Sequence, residues 1–262
     1  MIRGLYTAAT GMNAMQHQID VTSNNIANVN TTGFKQDRAE FQDLIYESLN
    51  YTAGQTTIDT MNPTGIDVGL GVRLSNIQKN FTEGDLKGTG NPLDIAITGR
   101  GFFQIVLPSG EIAFSRNGNF KLDADGNVVN GNGYLLEPQI VVPENVKDIS
   151  IGNDGFVTAK DPQTGDTIEL GQIILADFIN PSGLTPLGDS LFLQTDASGD
   201  VLEGEPLTEQ FGGLRQSMLE NSNVKLVNEM VDLITAQRAY EANSKAITTA
   251  DGMLDTVNRL KN

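Results

Sequence analysis

The sequence predicts an α+β protein whose N- and C-terminal helices pack as a coiled-coil-like layer, with an antiparallel β domain inserted between them. At both chain ends apolar residues recur every seven positions, the spacing of a helical seam. The middle alternates with a period near two and contains repeated Asn-Gly and Asp-Gly turns. Charge follows the same division. Residues 1–36 carry a net charge of +1 and residues 221–262 carry a net charge of zero. Because the whole chain carries −16, residues 37–220 carry −17.

The first thirty residues predict an amphipathic helix. The positions seven apart are Leu5, Met12, Ile19 and Ile26, and the intermediate positions are Ala8, Met15, Thr22 and Val29. Gly11 lowers the helix propensity by roughly 1 kcal/mol relative to Ala. Gly33, which follows three polar residues, is the expected helix stop.

The C-terminal end predicts a longer helix, capped by Ser222 or Asn223 and running to about Leu260. At 1.5 Å per residue it would be roughly 50 Å long. Its positions seven apart are Leu226, Leu233, Tyr240, Ile247 and Leu254, and the early part of the stripe is broadened by Val227, Met230, Val231 and Ile234.

Residues 80–199 predict the antiparallel β domain, because short strands alternate there with turn signals. The candidate strands are Leu93–Thr98, Phe102–Leu107, Ile112–Arg116, Asn119–Leu122, Asn127–Val129, Tyr134–Glu137, Ile149–Ile151, Phe156–Ala159, Thr167–Ala176 and Leu191–Gln194. Residues 37–79 and 200–221 are expected to form a less regular connecting region. Within it, the polar stretch Asn50–Gly65 predicts a loop or extended arm.

The two terminal stripes can be interpreted as the core face of a globular domain or as an assembly surface. Their position at the chain ends, their length and their small net charge favour assembly. Two helices alone would leave several large side chains in water, and burial of each is worth about 1.5–3 kcal/mol. The expected assembly seam consists of Leu5, Met12, Met15, Ile19, Ile26, Val29, Leu226, Met230, Leu233, Tyr240, Ile247 and Leu254.

Composition excludes several chemistries. The chain has no Cys, so thiol nucleophiles, disulfides and thiolate metal sites are absent, and its single His17 is expected on an exposed helix face. The run from Asp123 to Gly126 predicts a hairpin turn, since an EF-hand needs Gly at its sixth position and Glu at its twelfth. We therefore expect no enzyme, no metal and no cofactor, although a hydrolase or carbohydrate-binding module on the β domain stays open as an alternative.

Partners are limited by the same data. A net charge of −16 argues against nucleic-acid binding. No apolar run is long enough for a membrane span, and the first residues lack the apolar stretch of a secretory signal peptide. If the protein leaves the cytoplasm, we expect a route that does not read such a signal.

Three separated motifs resemble the bacterial flagellar rod and hook proteins, and together they cover essentially the whole chain. They are SNNIANVNTTGFK at residues 23–35, NPLDIAITGRGFFQ at 91–104 and QRAYEANSKA at 237–246. The residues that match the family's terminal motifs are Asn24, Asn25, Asn28, Gly33, Phe34, Lys35, Gln237, Arg238, Tyr240 and Asn243. The length is similar to that of distal rod subunits, while proximal rod and hook subunits remain alternatives. The segment Glu47–Val72 looks like the one that distinguishes distal rod from hook.

The resemblance implies a structural subunit of the flagellar basal body in the cell envelope. It implies type III export, and a hollow helical homopolymer with the terminal helices inside and the β domain outside. The implied partners are other copies of the chain, proximal rod proteins, the hook protein or hook–rod junction, the surrounding outer rings and the flagellar export apparatus. It also implies terminal segments that are unordered in the monomer and fold during assembly.

Overall fold

The computed structural model describes residues 2–50, 55–57, 60–61, 66–143, 146–161, 166–208 and 210–260. The chain forms two compact units. The helical unit contains residues 1–27, 37–78 and 225–262, and the β unit contains residues 28–36 and 79–224.

Two antiparallel helices form the centre of the helical unit. Helix α1 spans Ile2–Ala27 and helix α2 spans Leu226–Leu260. Gly11 lies against Asn243, and Asn25 bonds to Glu229, so positions rise along one helix as they fall along the other. The predicted helices are thus confirmed, but two predicted boundaries are wrong. Helix α1 ends six residues before Gly33, and α2 begins after both Ser222 and Asn223.

The segment Asp37–Gln78, which we call the hairpin arm, also belongs to the helical unit. Its strands are β1 (Asp37–Asp43), β2 (Tyr46–Asn50), β3 (Gln55–Thr57), β4 (Thr60–Met61), β5 (Ile66–Gly69) and β6 (Val72–Lys79). Strand β1 pairs with β6, β2 with β5 and β3 with β4. The expectation of a less regular connection is therefore wrong for this segment, because polar side chains on its exposed face weaken the apolar alternation. Most of the predicted loop Asn50–Gly65 lies outside the described residues.

The β unit contains sixteen described strands. They are β7 (Leu86–Gly88), β8 (Ile95–Thr98), β9 (Phe102–Val106), β10 (Ile112–Ser115), β11 (Lys121–Leu122), β12 (Val128–Val129), β13 (Leu135–Glu137), β14 (Lys147–Ile151), β15 (Phe156–Lys160), β16 (Thr167–Gln172), β17 (Leu175–Asp177), β18 (Thr185–Gly188), β19 (Leu191–Leu193), β20 (Leu202–Gly204), β21 (Gly213–Gln216) and β22 (Met218–Glu220). A short 3-10 helix spans Pro181–Gly183.

A nine-stranded sheet runs in the order β11-β12-β13-β9-β10-β19-β18, and β17 joins it by pairing with β9 and β20. Strands β14, β15 and β16 form a separate three-stranded sheet. The predicted strand Thr167–Ala176 is divided between these two sheets, since β16 pairs with β15 and β17 pairs with β9. Every described pairing whose register is defined is antiparallel, which confirms the predicted fold class.

The largest core cluster of the β unit is mainly aliphatic, and a second cluster is rich in phenylalanine. Phe103 packs edge-on against Phe120 at 5.1 Å between ring centroids, and Phe114 packs against Phe178 at 4.7 Å. Successive residues Phe102 and Phe103 are both buried but enter different clusters, because neighbouring side chains of strand β9 point to opposite faces of the sheet. The predicted Asp-Gly turn at Gly126 is present, with φ of +81°.

Candidate assembly surface and the contacts that support it

Several small residues are among the most buried residues of α1 and α2. Ala8, Ala14 and Ala236 are buried, and a Cβ at Gly11 would come within 2.8 Å of Nδ2 of Asn243. Small residues allow two helix backbones to approach closely. The larger residues of the predicted seam are less buried than these small residues.

The predicted seam residues of α1 keep part of their surface in water. Leu5, Met12, Met15, Ile19 and Ile26 are half-buried. Val29 is also half-buried, but it follows the end of α1 and is not a helix residue. His17 is half-buried rather than exposed.

On α2 the predicted seam divides into two groups. Leu233, Ile247 and Leu254 are half-buried. Leu226, Met230 and Tyr240 are exposed.

The first nine residues of α2 carry a continuous apolar surface, which we call the α2 apolar face: Leu226, Val227, Met230, Val231 and Ile234. Val227 is 72% exposed, and the other four side chains are between 42% and 53% exposed. Single exposed apolar residues are ordinary, but five clustered on about two and a half turns of helix indicate an interaction site.

Asn25, from the first family motif, joins three elements of the helical unit. Its Nδ2 donates to the backbone oxygen of Asp37 at 2.8 Å and to Oε2 of Glu229 at 3.1 Å. Its Oδ1 accepts from the backbone N–H of Asp37 at 2.9 Å. Asn25 is 2% exposed and Glu229 is 3% exposed. The bond to Glu229 is buried and the two bonds to Asp37 are partly buried, so loss of the Asn25 side chain would weaken the hydrogen bonding of all these groups.

The neighbouring motif residues have smaller roles. Asn24 is exposed, and its Nδ2 lies 3.5 Å from Oδ2 of Asp37. Asn28 accepts a bond from the Thr31 hydroxyl at 3.1 Å and thereby closes the turn after α1. In the C-terminal motif, Gln237 and Arg238 are exposed, while Asn243 is half-buried beside Gly11.

In the β unit, Lys35 forms a buried ion pair that the motif did not predict. Its Nζ lies 2.6 Å from Oε1 of Glu220 and also donates to the backbone oxygen of Thr82 at 2.8 Å. Arg116 Nη1 lies 3.5 Å from the second carboxylate oxygen of Glu220, and Arg116 Nη2 donates to the backbone oxygen of Gly99. Two cations thus share one buried carboxylate.

Burial disfavours the charged forms of the two cations in this cluster. Loss of hydration lowers the pKa of the Lys35 ammonium below its usual 10.5, and the attraction of Glu220 opposes that effect. Burial likewise lowers the pKa of the Arg116 guanidinium, again against the attraction of Glu220. Arg116 Nε and the Glu220 oxygen at 3.5 Å have no hydrogen-bond partner with good geometry.

Gly33 and Phe34 complete the motif. Gly33 has φ of +69°, its N–H donates to the backbone oxygen of Glu220, and a Cβ there would lie 2.7 Å from the backbone nitrogen of Asn117. The motif therefore needs glycine for both its conformation and its close contact. The Lys79 ammonium makes a cation–π contact with the Phe34 ring, at 5.3 Å from the ring centroid.

Asn223 was expected to cap α2 but instead fastens three segments of the β unit. Its Oδ1 accepts from the backbone N–H of Gln36, and its Nδ2 donates to the backbone oxygens of Asn80 and Thr82. Four residues that hold these contacts together were not predicted as site residues: Glu220, Arg116, Glu229 and Asn223. For Glu229 the sequence contained a signal of a buried role, because this charged residue lies four positions before Leu233 within the apolar stripe.

A cleft of about 340 Å³ in the β unit is lined in part by Phe34, Pro186 and Phe192, with Asp189 and Ser190 among its polar residues. Asp189 accepts a bond from Asn132, and the Ser190 hydroxyl donates to the backbone oxygen of Thr32. Both polar groups are thus engaged within the fold. Within the described ranges, no group of acidic or His side chains is arranged to hold a metal ion, and no helix is long and apolar enough to cross a membrane.

Fold and surface together define a structural protein with paired terminal helices and a β domain inserted between them in the sequence. Residues 5–35 match the family described as flagella basal body rod protein, and residues 96–159 match the flagellar hook protein FlgE/F/G D1 domain. Residues 215–260 match the flagellar basal body rod FlgEFG protein C-terminal family.

The chain is also similar over its full length to curated proteins. It is 46% identical to the flagellar basal-body rod protein FlgG of Borreliella burgdorferi, covering 100% of this chain and 99% of the relative. It is 48% identical to FlgG of Agrobacterium fabrum, over 98% and 99%. It is 38% identical to FlgG of Bacillus subtilis, over the whole of both chains.

The chain therefore belongs to the family of flagellar basal-body rod proteins, within which it is most like the distal rod protein. It is a structural subunit of the flagellar basal body. These relatives are all described as rod proteins, which favours a rod subunit over the alternative of a hook subunit.

Proposed function

We propose that this subunit polymerises through its terminal helices into the hollow helical tube of the distal rod. The α2 apolar face carries the proposal, because it places five large apolar side chains in water on a helical region with almost no net charge. Another copy of the chain is the natural partner for such a surface, since like-charge repulsion between the helical ends is small.

The proposed inner and outer domains follow the distribution of charge along the chain. Residues 1–36 and 222–262 would form the inner assembly domain, and residues 80–199 would form the outer β domain. Residues 37–79 and 200–221 would connect them and include the arm. The acidic centre, with −17 in residues 37–220, suits a hydrated outer surface.

The seam residues would then be buried in two stages. Leu233, Ile247 and Leu254 are already half-buried within one chain, and their remaining surface would be covered on assembly. Leu226, Met230 and Tyr240 would be covered mainly by other copies, because they are exposed in the single chain.

The wider partners of the proposed tube are proximal rod proteins, the hook protein or hook–rod junction, the surrounding outer rings and the flagellar export apparatus. The tube would transmit torque to the hook and pass exported subunits. In this role the chain acts mechanically and not as an enzyme.

The test is a charge placed on the α2 apolar face. Val227→Asp puts an unpaired carboxylate into the proposed contact, where desolvation is costly, while leaving the isolated chain nearly unaffected because Val227 is 72% exposed. We expect sedimentation to show monomers for this variant and polymers for the wild type.

Thr248→Asp is the matched control, since Thr248 is an exposed residue of the same helix outside the α2 apolar face. It should polymerise. A Val227→Asp protein that polymerises at the wild-type concentration would refute the proposed contact.

A further inference from the structure

Among the described residues, the hairpin arm follows helix α1 along most of its length and makes polar contacts with it at three points. Asp37 bonds to Asn25 through its backbone N–H and oxygen. Near the middle of α1, the Val72 N–H lies 3.5 Å from Oγ1 of Thr10. At the start of α1, Nη2 of Arg3 lies 2.6 Å from Oε1 of Glu47.

The spacing of these contacts matches on the two elements. From Asn25 to Thr10 the helix rises about 22 Å at 1.5 Å per residue. From Asp37 to Leu44, whose N–H bonds to Gly71, the strand advances about 23 Å at 3.3 Å per residue. From Thr10 to Arg3 and from Leu44 to Glu47 the advances are both about 10 Å. One register therefore satisfies all three contacts.

Gly71 makes the middle contact possible. Its φ is +116°, and a Cβ there would overlap the Thr10 side chain. The corner of the arm is thus shaped for close approach to α1. A bulkier residue would separate the two elements at this point.

Helix α1 is weakly helical by its own sequence. It contains Gly4 and Gly11, and it has no acidic residue in its first turn and no basic residue in its last. Arg3 places a positive charge at the positive end of the helix dipole. Glu47 of the arm supplies the missing carboxylate there.

We propose that α1 and the hairpin arm become ordered in a single step, with Asn25, Gly71 and Arg3–Glu47 as the fastening contacts. The arm supplies the neutralising charge and the polar partners that α1 lacks. Since Asn25 also bonds to Glu229, the same step sets the register of α1 against α2. This inference concerns one chain and holds whether or not the α2 apolar face is the contact between copies.

The test is hydrogen exchange of the full-length protein, read by peptide, across a series of protein concentrations and a series of urea concentrations. Peptides from residues 2–27 and from the described arm, 37–48 and 66–78, should gain or lose protection at the same condition. Gly71→Ala should accelerate exchange in both segments by the same factor, roughly tenfold or more. The core strands β9 and β10 should not change.

Gly188→Ala is the matched control, because Gly188 also has a positive φ, +104°, but has open space around its Cβ position. It should leave α1 and the arm unchanged. Three results would overturn the proposal: an arm that is protected where α1 is not, a Gly71→Ala effect confined to the arm, or a wild-type protein in which neither segment is protected under any condition.

Discussion

The Nζ of Lys35 lies 2.6 Å from Oε1 of Glu220, and both side chains are fully buried. The pair links the segment that follows α1 to the segment that precedes α2. The Glu220 carboxylate is further held by the Gly84 N–H at 2.9 Å. Such a pair contributes structural specificity more readily than net stability, because desolvation offsets much of the attraction.

Removal of Lys35 should be costly, because it takes the nearest cation from a buried carboxylate. Lys35→Met leaves Glu220 with the Gly84 N–H and with Arg116 at 3.5 Å, and we expect the free energy of unfolding to fall by about 3 kcal/mol. Urea denaturation of the β unit measures it. Adding Glu220→Leu would leave the buried Arg116 guanidinium without this carboxylate, so the double variant should be no more stable than Lys35→Met, and a double variant more stable than the single one would contradict this account.

Alkaline pH should affect the wild type and Lys35→Met differently. Because burial lowers the pKa of Lys35, the unfolded chain binds more protons than the folded chain in the range just below pH 10.5. The Lys35 contribution to the free energy of unfolding therefore rises with pH in that range. The stability difference between wild type and Lys35→Met, measured by urea midpoints at several pH values, should increase in favour of the wild type; a constant difference would be inconsistent with a lowered pKa.

Gly33→Ala should destabilise the β unit by more than conformational strain alone. The added Cβ would press on the backbone of Asn117, which cannot move as a side chain could. Gly90→Ala is the control, since Gly90 has a similar φ of +75° and open space. We expect about 2 kcal/mol or more between the two variants in thermal unfolding, and equal losses would exclude the close contact as the reason for glycine.

Asn25→Ala should weaken the helical unit by about 1–3 kcal/mol, because it leaves the buried Glu229 carboxylate and the Asp37 backbone without this partner. Asn13→Ala, at an exposed position of the same helix, should change little. Helix content during urea titration measures both. Equal effects would mean that Asn25 contributes helix propensity only.

Ile19→Asp and Leu233→Asp should each block polymerisation, since each places a charge on a half-buried position of the seam. Light scattering of concentrated protein checks this result. Normal polymers from either variant would remove that residue from the seam.

Much of the fold could be predicted because it depends on local periodicity. The heptads of Leu5 to Ile26 and of Leu226 to Leu254 predicted both helices. The Asn-Gly and Asp-Gly turn signals helped to predict most strands of the β unit. The arm strands were missed because residues such as Arg38, Gln42 and Arg73 are exposed and polar, so no apolar alternation marks them.

The supporting contacts could not be predicted, because they join residues far apart in the chain. Lys35 and Glu220 are separated by 185 positions, and Asn25 and Glu229 by 204. The motif indicated that Gly33 mattered, but as a helix stop. The position requires glycine because of its positive φ and because of Asn117, which only the folded structure brings beside it.

Electron microscopy of the purified, concentrated full-length protein tests the central claim most directly. If the exposed α2 apolar face is completed by other copies, the wild-type protein should form hollow tubes of uniform diameter, and Val227→Asp should form none. A wild-type protein that remains monomeric at every concentration, with the α2 apolar face in water, would contradict the account.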